Sequence, residues 1–304
     1  MTAPPVTAVV ATHRRPELMK AAVQSILDQT YDGPIEIVVV FDACEPDLPG
    51  VTVPPNRTLR ALVNSRSRGL AGTRNTGILD AANDFVAFLD DDDSWLPEKL
   101  AFQMPVFEEH PETVLVGTAM RVDDGRAMHD RLVDHPIVGV DDLVTDRLAG
   151  LHSSSFVFRR DTLVNSVGLI DEALPGSYGE DYDVLLRTSR VGMIRVVDRP
   201  LITVRWQGQS YFYGKWAQYA ESLEYLLDEH PEFRQRPAAR ARIESQIAFA
   251  TAASGAHRQS RPWARSALRH APLNLRAWLA LAISFRLASA NAIGRVANRF
   301  GKGI

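Results

Sequence analysis

Four consecutive carboxylates, Asp90-Asp91-Asp92-Asp93, follow directly on an apolar run at residues 85–89 and are closed by Ser94-Trp95. Adjacent acids repel one another and cannot all be buried unpaired. Either the run is fully solvated or a positive partner sits beside it. The carboxyl end of a buried strand is where open α/β sheets bind ligands, and clustered oxygen ligands suit a hard cation such as Mg²⁺ or Mn²⁺. A second acidic group, Glu180-Asp181-Tyr182-Asp183, ends a Gly-containing loop where a helical pattern begins. Acids there also cap a helix and complement its dipole. A third stretch, residues 67–77, carries Gly69, Gly72 and Gly77 with Arg68 and Arg74. It matches neither the dinucleotide fingerprint nor the P-loop. Its glycines permit close backbone approach, to a ligand or between helix and sheet, and its arginines suit phosphate.

The elements around these groups read as alternating strands and helices. Residues 6–11 are apolar and β-branched. Pro16 then suits a first helical turn, and Leu18, Met19, Ala22, Val23, Ile26 and Leu27 recur at helical spacing. Residues 35–41 form a second apolar run that closes on Asp42. Strand, helix and strand in so short a span imply a βαβ unit and a parallel sheet. Further strands are predicted at 59–63, 85–89, 113–120, 155–158, 193–197 and 201–204. Residues 121–150 are polar and irregular. From residue 211 strand patterns cease, and helices are predicted at about 211–230, 238–255, 261–270 and 273–290, the last part as a helical hairpin. The expected fold is α/β, with a catalytic-type domain over residues 1–210 and a basic all-helical extension over residues 211–304.

Composition narrows the classes further. The 304 residues are 45% hydrophobic and 23% charged, ordinary values for a globular chain. The single cysteine, Cys44, cannot form an internal disulfide and reads as a small structural residue. The N-terminus lacks the pattern of a signal peptide, and no uncharged apolar run is long enough to span a bilayer, so a cytoplasmic location is expected. Net charge is −3, unevenly spread. No acid follows Glu244, whereas nine of the 34 Lys and Arg do, which leaves the preceding part at −12. This basic tail, with Trp263, Trp278 and Phe285, suggests peripheral contact with an anionic membrane face. A solvated helical face or a partner-protein surface is the alternative. No nucleic-acid motif accompanies the charge.

Taken in order, these pieces resemble family 2 glycosyltransferases of the GT-A fold over about residues 6–210. Val9-Val10-Ala11-Thr12 with Arg15-Pro16 is similar to the opening strand and helix. Phe41-Asp42-Ala43-Cys44 stands where the family has Asp-Asp-Gly-Ser. Residues 69–77 resemble its Ala-Arg-Asn-x-Gly turn, residues 88–95 its Phe-Leu-Asp-x-Asp-Asp-x-Trp signature, and residues 179–183 with Arg187 its Glu-Asp motif. The resemblance implies a GT-A-like mixed, mainly parallel sheet flanked by helices, and inverting transfer of a sugar from a nucleotide-diphosphate donor to a carbohydrate or lipid-linked acceptor. It implies Asp181 as general base, with Glu180 and Asp183 as fallbacks. Thr12, Arg15, Asp42, Arg74, Asp90 and Asp91 are implied on the donor, and Asp90 and Asp92 on Mg²⁺ or Mn²⁺, with Asp93 behind them. Two overlapping registers, Asp90/Asp92 and Asp91/Asp93, fit the same letters. Trp95, His152, Arg205 and Gln207 are implied as acceptor or closing-loop contacts, Gln207 standing where the family often has a histidine. Two other functions are compatible with an α/β sheet and acids: a nucleotidyltransferase making nucleotide sugars, and a non-catalytic nucleotide-sugar-binding module. The first usually carries a glycine in its N-terminal basic loop, which Thr12-His13-Arg14-Arg15 lacks.

Overall fold

Seven consecutive buried residues make β1, Val6–Thr12, the strand on which the sheet is built. The computed structural model describes residues 3–206, 214–290 and 292–293. β1 pairs in parallel with β2 (Ile35–Phe41) on one side and with β4 (Phe85–Asp90) on the other. β3 (Arg57–Val63) extends the parallel half beyond β2. Strands buried on both faces read as continuous apolar runs rather than alternating ones, which is why β1, β2 and β4 were legible. Between them, α1 (Pro16–Leu27) and α2 (Leu70–Asp80) complete the crossovers. α2 lies close on the sheet because Gly77 has no side chain: a Cβ there would meet Val9 Cγ1 at 2.4 Å.

Beyond β4 the sheet becomes mixed. β5 (Ser94–Trp95) and α3 (Lys99–Glu109) lead to β6 (Thr113–Asp123), which forms a hairpin with β7 (Met128–Arg131). The short β8 (Ile137–Val138) and α4 (Val140–Thr145) follow. Residues 121–150 therefore hold regular structure where irregular chain was expected: an exposed hairpin of largely polar residues, then β8 and α4, which bury Val138, Leu143 and Val144. A 3₁₀ turn, Ser153–Ser155, precedes β9 (Val157–Arg159), which pairs antiparallel to both β4 and β6. A helical turn, α5 (Arg160–Thr162), continues into one π turn to Val167. After α6 (Glu180–Val191), the long β10 (Met193–Arg205) runs parallel to β6. Two short strands were expected there. One strand forms because register shifts around Pro200 absorb its missing N–H without ending the ladder. The path across the sheet is β3-β2-β1-β4-β9-β6-β10-β5. One apolar core lies under it, from Val6 and Ile26 to Phe107 and Ile202, with Cys44 packed at its edge.

Packing divides the chain into two units, Met1–Glu172 with Gly179–Gly208, and Ala173–Tyr178 with Gln209–Ile304. The second contains α7 (Trp216–Glu229), α8 (Glu232–Gln235), α9 (Pro237–Ala253), α10 (His257–His270) and α11 (Leu275–Ser284). Residues 173–178 belong to it because the Ser222 hydroxyl donates to the Pro175 carbonyl at 2.6 Å and Tyr178 packs on Tyr219. Among the described residues, no helix is long and apolar enough to cross a membrane.

Candidate active site

The parallel register places Ala11 opposite Asp90 and Thr12 opposite Phe41. The carboxyl ends of β1, β2 and β4 thus bring Thr12, Asp42 and the acid run together. The Thr12 hydroxyl donates to Asp91 at 2.8 Å, and Arg15 reaches both Asp91 (3.1 Å) and Asp92 (3.0 Å). Asp42 also braces the adjoining loop. Its carboxylate accepts from Asn64 Nδ2 (2.8 Å) and from the Gly69 amide (3.0 Å), tying the loop after β3 to the start of α2.

Arg74 lies wholly buried at the centre of the site. One guanidinium nitrogen donates to Glu180 at 2.8 Å; another donates to Asp90 and to the Ser153 hydroxyl. Burial disfavours its charge, but Asp90 and Glu180 outweigh that cost and hold its pKa above the ordinary value. The planar fork lets one residue serve two carboxylates from distant parts of the chain. Glu180 is pushed upward by burial and then by Asp181 and Asp90, against Arg74.

The four acids differ in environment. Burial raises Asp91 to about 6, against the Thr12 hydrogen bond and Arg15. Asp92 is also raised, by burial and by Asp90, although its side chain remains 40% exposed and its partner Arg15 is 42% exposed. Asp93 points inward. It accepts from the Ser154 hydroxyl (2.6 Å) and the Arg205 amide (3.2 Å), with His152 Nδ1 at 3.5 Å, and burial raises its pKa. Three carboxyls whose charge is disfavoured in one cleft make a donor set suited to a cation, which would relieve that repulsion. Ligand atoms of Asp90, Asp93 and His152 lie within 4.8 Å of one another. Oxygen-rich sites of this kind match Mg²⁺ or Mn²⁺. Asp92 lies outside that inner group, on the open rim.

Asp181 stands beside Glu180 at the start of α6. Burial raises its pKa, but Arg147, His152 and the Tyr182 amide together bring it below the ordinary carboxylate value. Arg147 grips both of its oxygens, at 2.9 and 3.1 Å. No motif marked Arg147; it comes from the polar 121–150 region, and only the fold brings it here. Asp183 is engaged elsewhere. Arg187 holds it at 2.6 Å and donates to the Val167 and Gly168 carbonyls, clamping α6 to the preceding loop. Asn75 and Glu172, also unforeseen, anchor that loop: Asn75 exchanges hydrogen bonds with the Ile170 backbone and donates to Glu172.

Two expected contacts need correction. Trp95 is 3% exposed, and its indole N–H donates to the Ser154 carbonyl at 2.8 Å. Its ring is part of the core and cannot stack on a sugar. Arg205 contributes its backbone amide to Asp93, while its side chain faces outward. Gln207 lies outside the described residues.

With the geometry established, comparison decides the family. The model for glycosyl transferase family 2 matches residues 7–161, about half of the chain. The chain belongs to glycosyl transferase family 2. It is 30% identical over 191 residues to the amylovoran biosynthesis glycosyltransferase AmsE of Erwinia amylovora, covering 59% of this chain and 66% of that one. The UDP-Glc:alpha-D-GlcNAc-diphosphoundecaprenol beta-1,3-glucosyltransferase WfgD of Escherichia coli is 28% identical over 112 residues, covering 37% of this chain and 44% of that protein. The chain spans less than two thirds of the length of these curated relatives. Among solved structures, S. aureus TarS 1-349 in complex with UDP-GlcNAc superposes with a TM-score of 0.57 at 16% identity, covering 95% of this chain and 93% of that one. The mannosyltransferase PcManGT from Pyrobaculum calidifontis, in complex with GDP-Man and Mn²⁺, gives 0.52 at 18% identity, covering 99% and 82%. The fold of this family 2 chain is therefore GT-A-like, as the ordered motifs implied.

Proposed function

We propose that the chain transfers a hexosyl or related sugar, with inversion, from a nucleotide-diphosphate donor to an acceptor hydroxyl in the assembly of a cell-surface polysaccharide. The observation that carries this reading is the buried Arg74 fork, which fixes the acid run of β4 against the Glu180-Asp181 pair at the head of α6. Two carboxylate groups with separate tasks are thereby held at one cleft. Thr12 and Asp42, at the ends of β1 and β2, receive the base and ribose, with Asp91 at the ribose. Arg15, half exposed beside Asp91 and Asp92, is placed to turn toward the donor's phosphates.

Asp90 and Asp92 would hold a divalent cation where the inner group meets the open rim, with Asp93 and His152 behind them. Asp93 already accepts two hydrogen bonds, whereas Asp92 pairs with the half-exposed Arg15 and is itself 40% exposed. The cation would supply neutralisation of the charge that develops on the leaving diphosphate. Asp181 accepts the proton of the attacking hydroxyl as that oxygen bonds to the anomeric carbon. A general base typically contributes about 10²- to 10⁴-fold. Glu180, whose pKa burial raises, accepts from Arg74 and holds it in place.

WfgD is named for a lipid-diphosphate-linked acceptor, and an acceptor of that class fits a protein at the cytoplasmic face of a membrane, which the basic C-terminal helices would favour. A donor screen by mass spectrometry with Mg²⁺ and Mn²⁺ tests the reading. Sugar-dependent release of a nucleoside diphosphate, with a glycosylated acceptor, is expected. Pyrophosphate release from a nucleoside triphosphate and a sugar 1-phosphate would contradict it.

A further inference from the structure

The helical unit carries a second concave site, built from residues remote in sequence from the transfer cleft. A cavity of about 560 Å³ opens where the start of α10 meets the end of α11, lined by Arg258, Arg261 and Arg286 with His257 and Phe285. Among the described residues no carboxylate lines it, and no acidic side chain follows Glu244 in the chain. Three arginines line one hollow, and their like charges favour an anion there.

Two features distinguish this hollow from a solvated basic face. First, Arg261 is pre-organised. It donates to the Ser284 carbonyl at 2.9 Å, and its guanidinium lies 4.2 Å over the Phe285 ring. An arginine fixed before binding loses less freedom on binding. Second, Arg286 occupies a position where glycine is the usual choice. The Leu287 amide donates to the Ala282 carbonyl and the Arg286 amide to Ile283, the paired bonds of a Schellman helix end. Arg286 takes the left-handed conformation that this motif requires, with φ of 62°. On the other side of the cavity α9 ends with the same pair of bonds, and there the left-handed residue is Gly255, with φ of 92°. A side chain kept at a strained backbone position points to a task for that side chain. His257 Nδ1, also in the wall, is buried without a partner among the described residues.

We infer that this cavity is a binding site for a phosphate ester, with Arg261 and Arg286 as its principal ligands. Arginine forks match phosphate geometry. Phe285 in the wall is 52% exposed, and Leu287, next in the chain to Arg286, is 81% exposed; they favour a lipid headgroup as the bearer, since exposed apolar residues beside the site gain from contact with acyl chains.

The test uses the full chain and the variants Arg286→Gly and Arg261→Gln. Arg286→Gly retains the helix end and relieves its strain, so its thermal midpoint in phosphate-free buffer should rise. Calorimetry at constant ionic strength should show saturable binding of inorganic phosphate and of glycerol phosphate to the wild type, weakened about tenfold or more in each variant, the loss expected for one charge-assisted contact. The double variant Arg265→Gln/Arg269→Gln, at exposed arginines outside the cavity, should bind as the wild type does. Sedimentation with phosphatidylglycerol but not phosphatidylcholine vesicles, lost in Arg286→Gly, identifies the lipid as bearer; phosphate binding without sedimentation identifies a soluble ester. Equal binding by wild type, Arg286→Gly and Arg261→Gln, or a response that follows ionic strength without saturating, would overturn the assignment.

Discussion

Arg74 and Glu180, 106 positions apart in the chain, are joined by a 2.8 Å hydrogen bond where neither side chain meets much solvent. The same guanidinium holds Asp90. This fork is the physical link between the strand-end acids and the helix-start acids, and several consequences of it can be measured.

Replacing Arg74 by Met leaves the buried Glu180 and the part-buried Asp90 without their cation. Breaking a buried pair in this way costs about 3–5 kcal/mol, so denaturant unfolding should show a much less stable protein. Arg74→Lys keeps one charge but not the planar fork. It should fold, and should lose at least about tenfold in transfer rate because only one of the two acids can be held well. A wild-type rate in Arg74→Lys would show that the fork is not needed.

Arg147 should set the pH dependence. Burial alone would raise Asp181, but Arg147 is the largest opposing influence and the carboxyl lies below its ordinary value. A base must be deprotonated, so activity falls as pH drops through its pKa, and in the wild type that limb lies in the acid range. In Arg147→Gln burial acts with less opposition, the pKa rises, and the acid limb of kcat/KM should move to higher pH. An unmoved limb would remove Asp181 from the role of base.

Mn²⁺ titration by calorimetry distinguishes the two groups of possible ligands. Asp90→Asn should abolish binding, and Asp92→Asn should weaken it about tenfold or more, with a smaller loss in His152→Ala, consistent with an orienting role. Wild-type affinity in Asp92→Asn, with binding lost in Asp93→Asn and His152→Ala, would place the cation in the inner group instead.

How far these relationships could be read in advance depended on their range. The runs that became β1, β2 and β4 announced themselves because strands buried on both faces are apolar throughout, and their carboxyl ends located Thr12, Asp42 and Asp90 together. Arg74 was conspicuous as an arginine among small residues. Arg147 was not, because its contact with Asp181 joins segments 34 residues apart and leaves no local pattern. Trp95 was ambiguous for a related reason: an aromatic residue after acids suits a sugar platform or a core equally, and only packing against Ser154 and Lys99 decides between them.

Lys99 is the clearest residue that no pattern foretold. It is fully buried, its Nζ lies 4.0 Å from the Trp95 ring centroid, and that nitrogen has no hydrogen-bond partner among the described residues. Burial lowers its pKa well below the ordinary 10.5. The unfolded chain therefore binds a proton that the native state does not, and stability rises with pH between the lowered value and 10.5. Lys99→Met should stabilise the protein at pH 7 by about 1–3 kcal/mol, the cost of an unsatisfied buried polar group. The advantage should shrink as pH approaches 10. Destabilisation by Lys99→Met at pH 7 would show that the ammonium has a partner.

The proposed division of labour gives Asp181 the acceptor and the β4 acids the donor. The most direct measurement is transfer by Asp181→Asn, made alongside donor binding by the same variant, once the donor screen has named the sugar nucleotide. Donor affinity should stay within about threefold of wild type, while transfer falls by about 10²- to 10⁴-fold. Transfer at the wild-type rate in Asp181→Asn, or a loss of donor binding equal to the loss of transfer, would take the role of base away from Asp181.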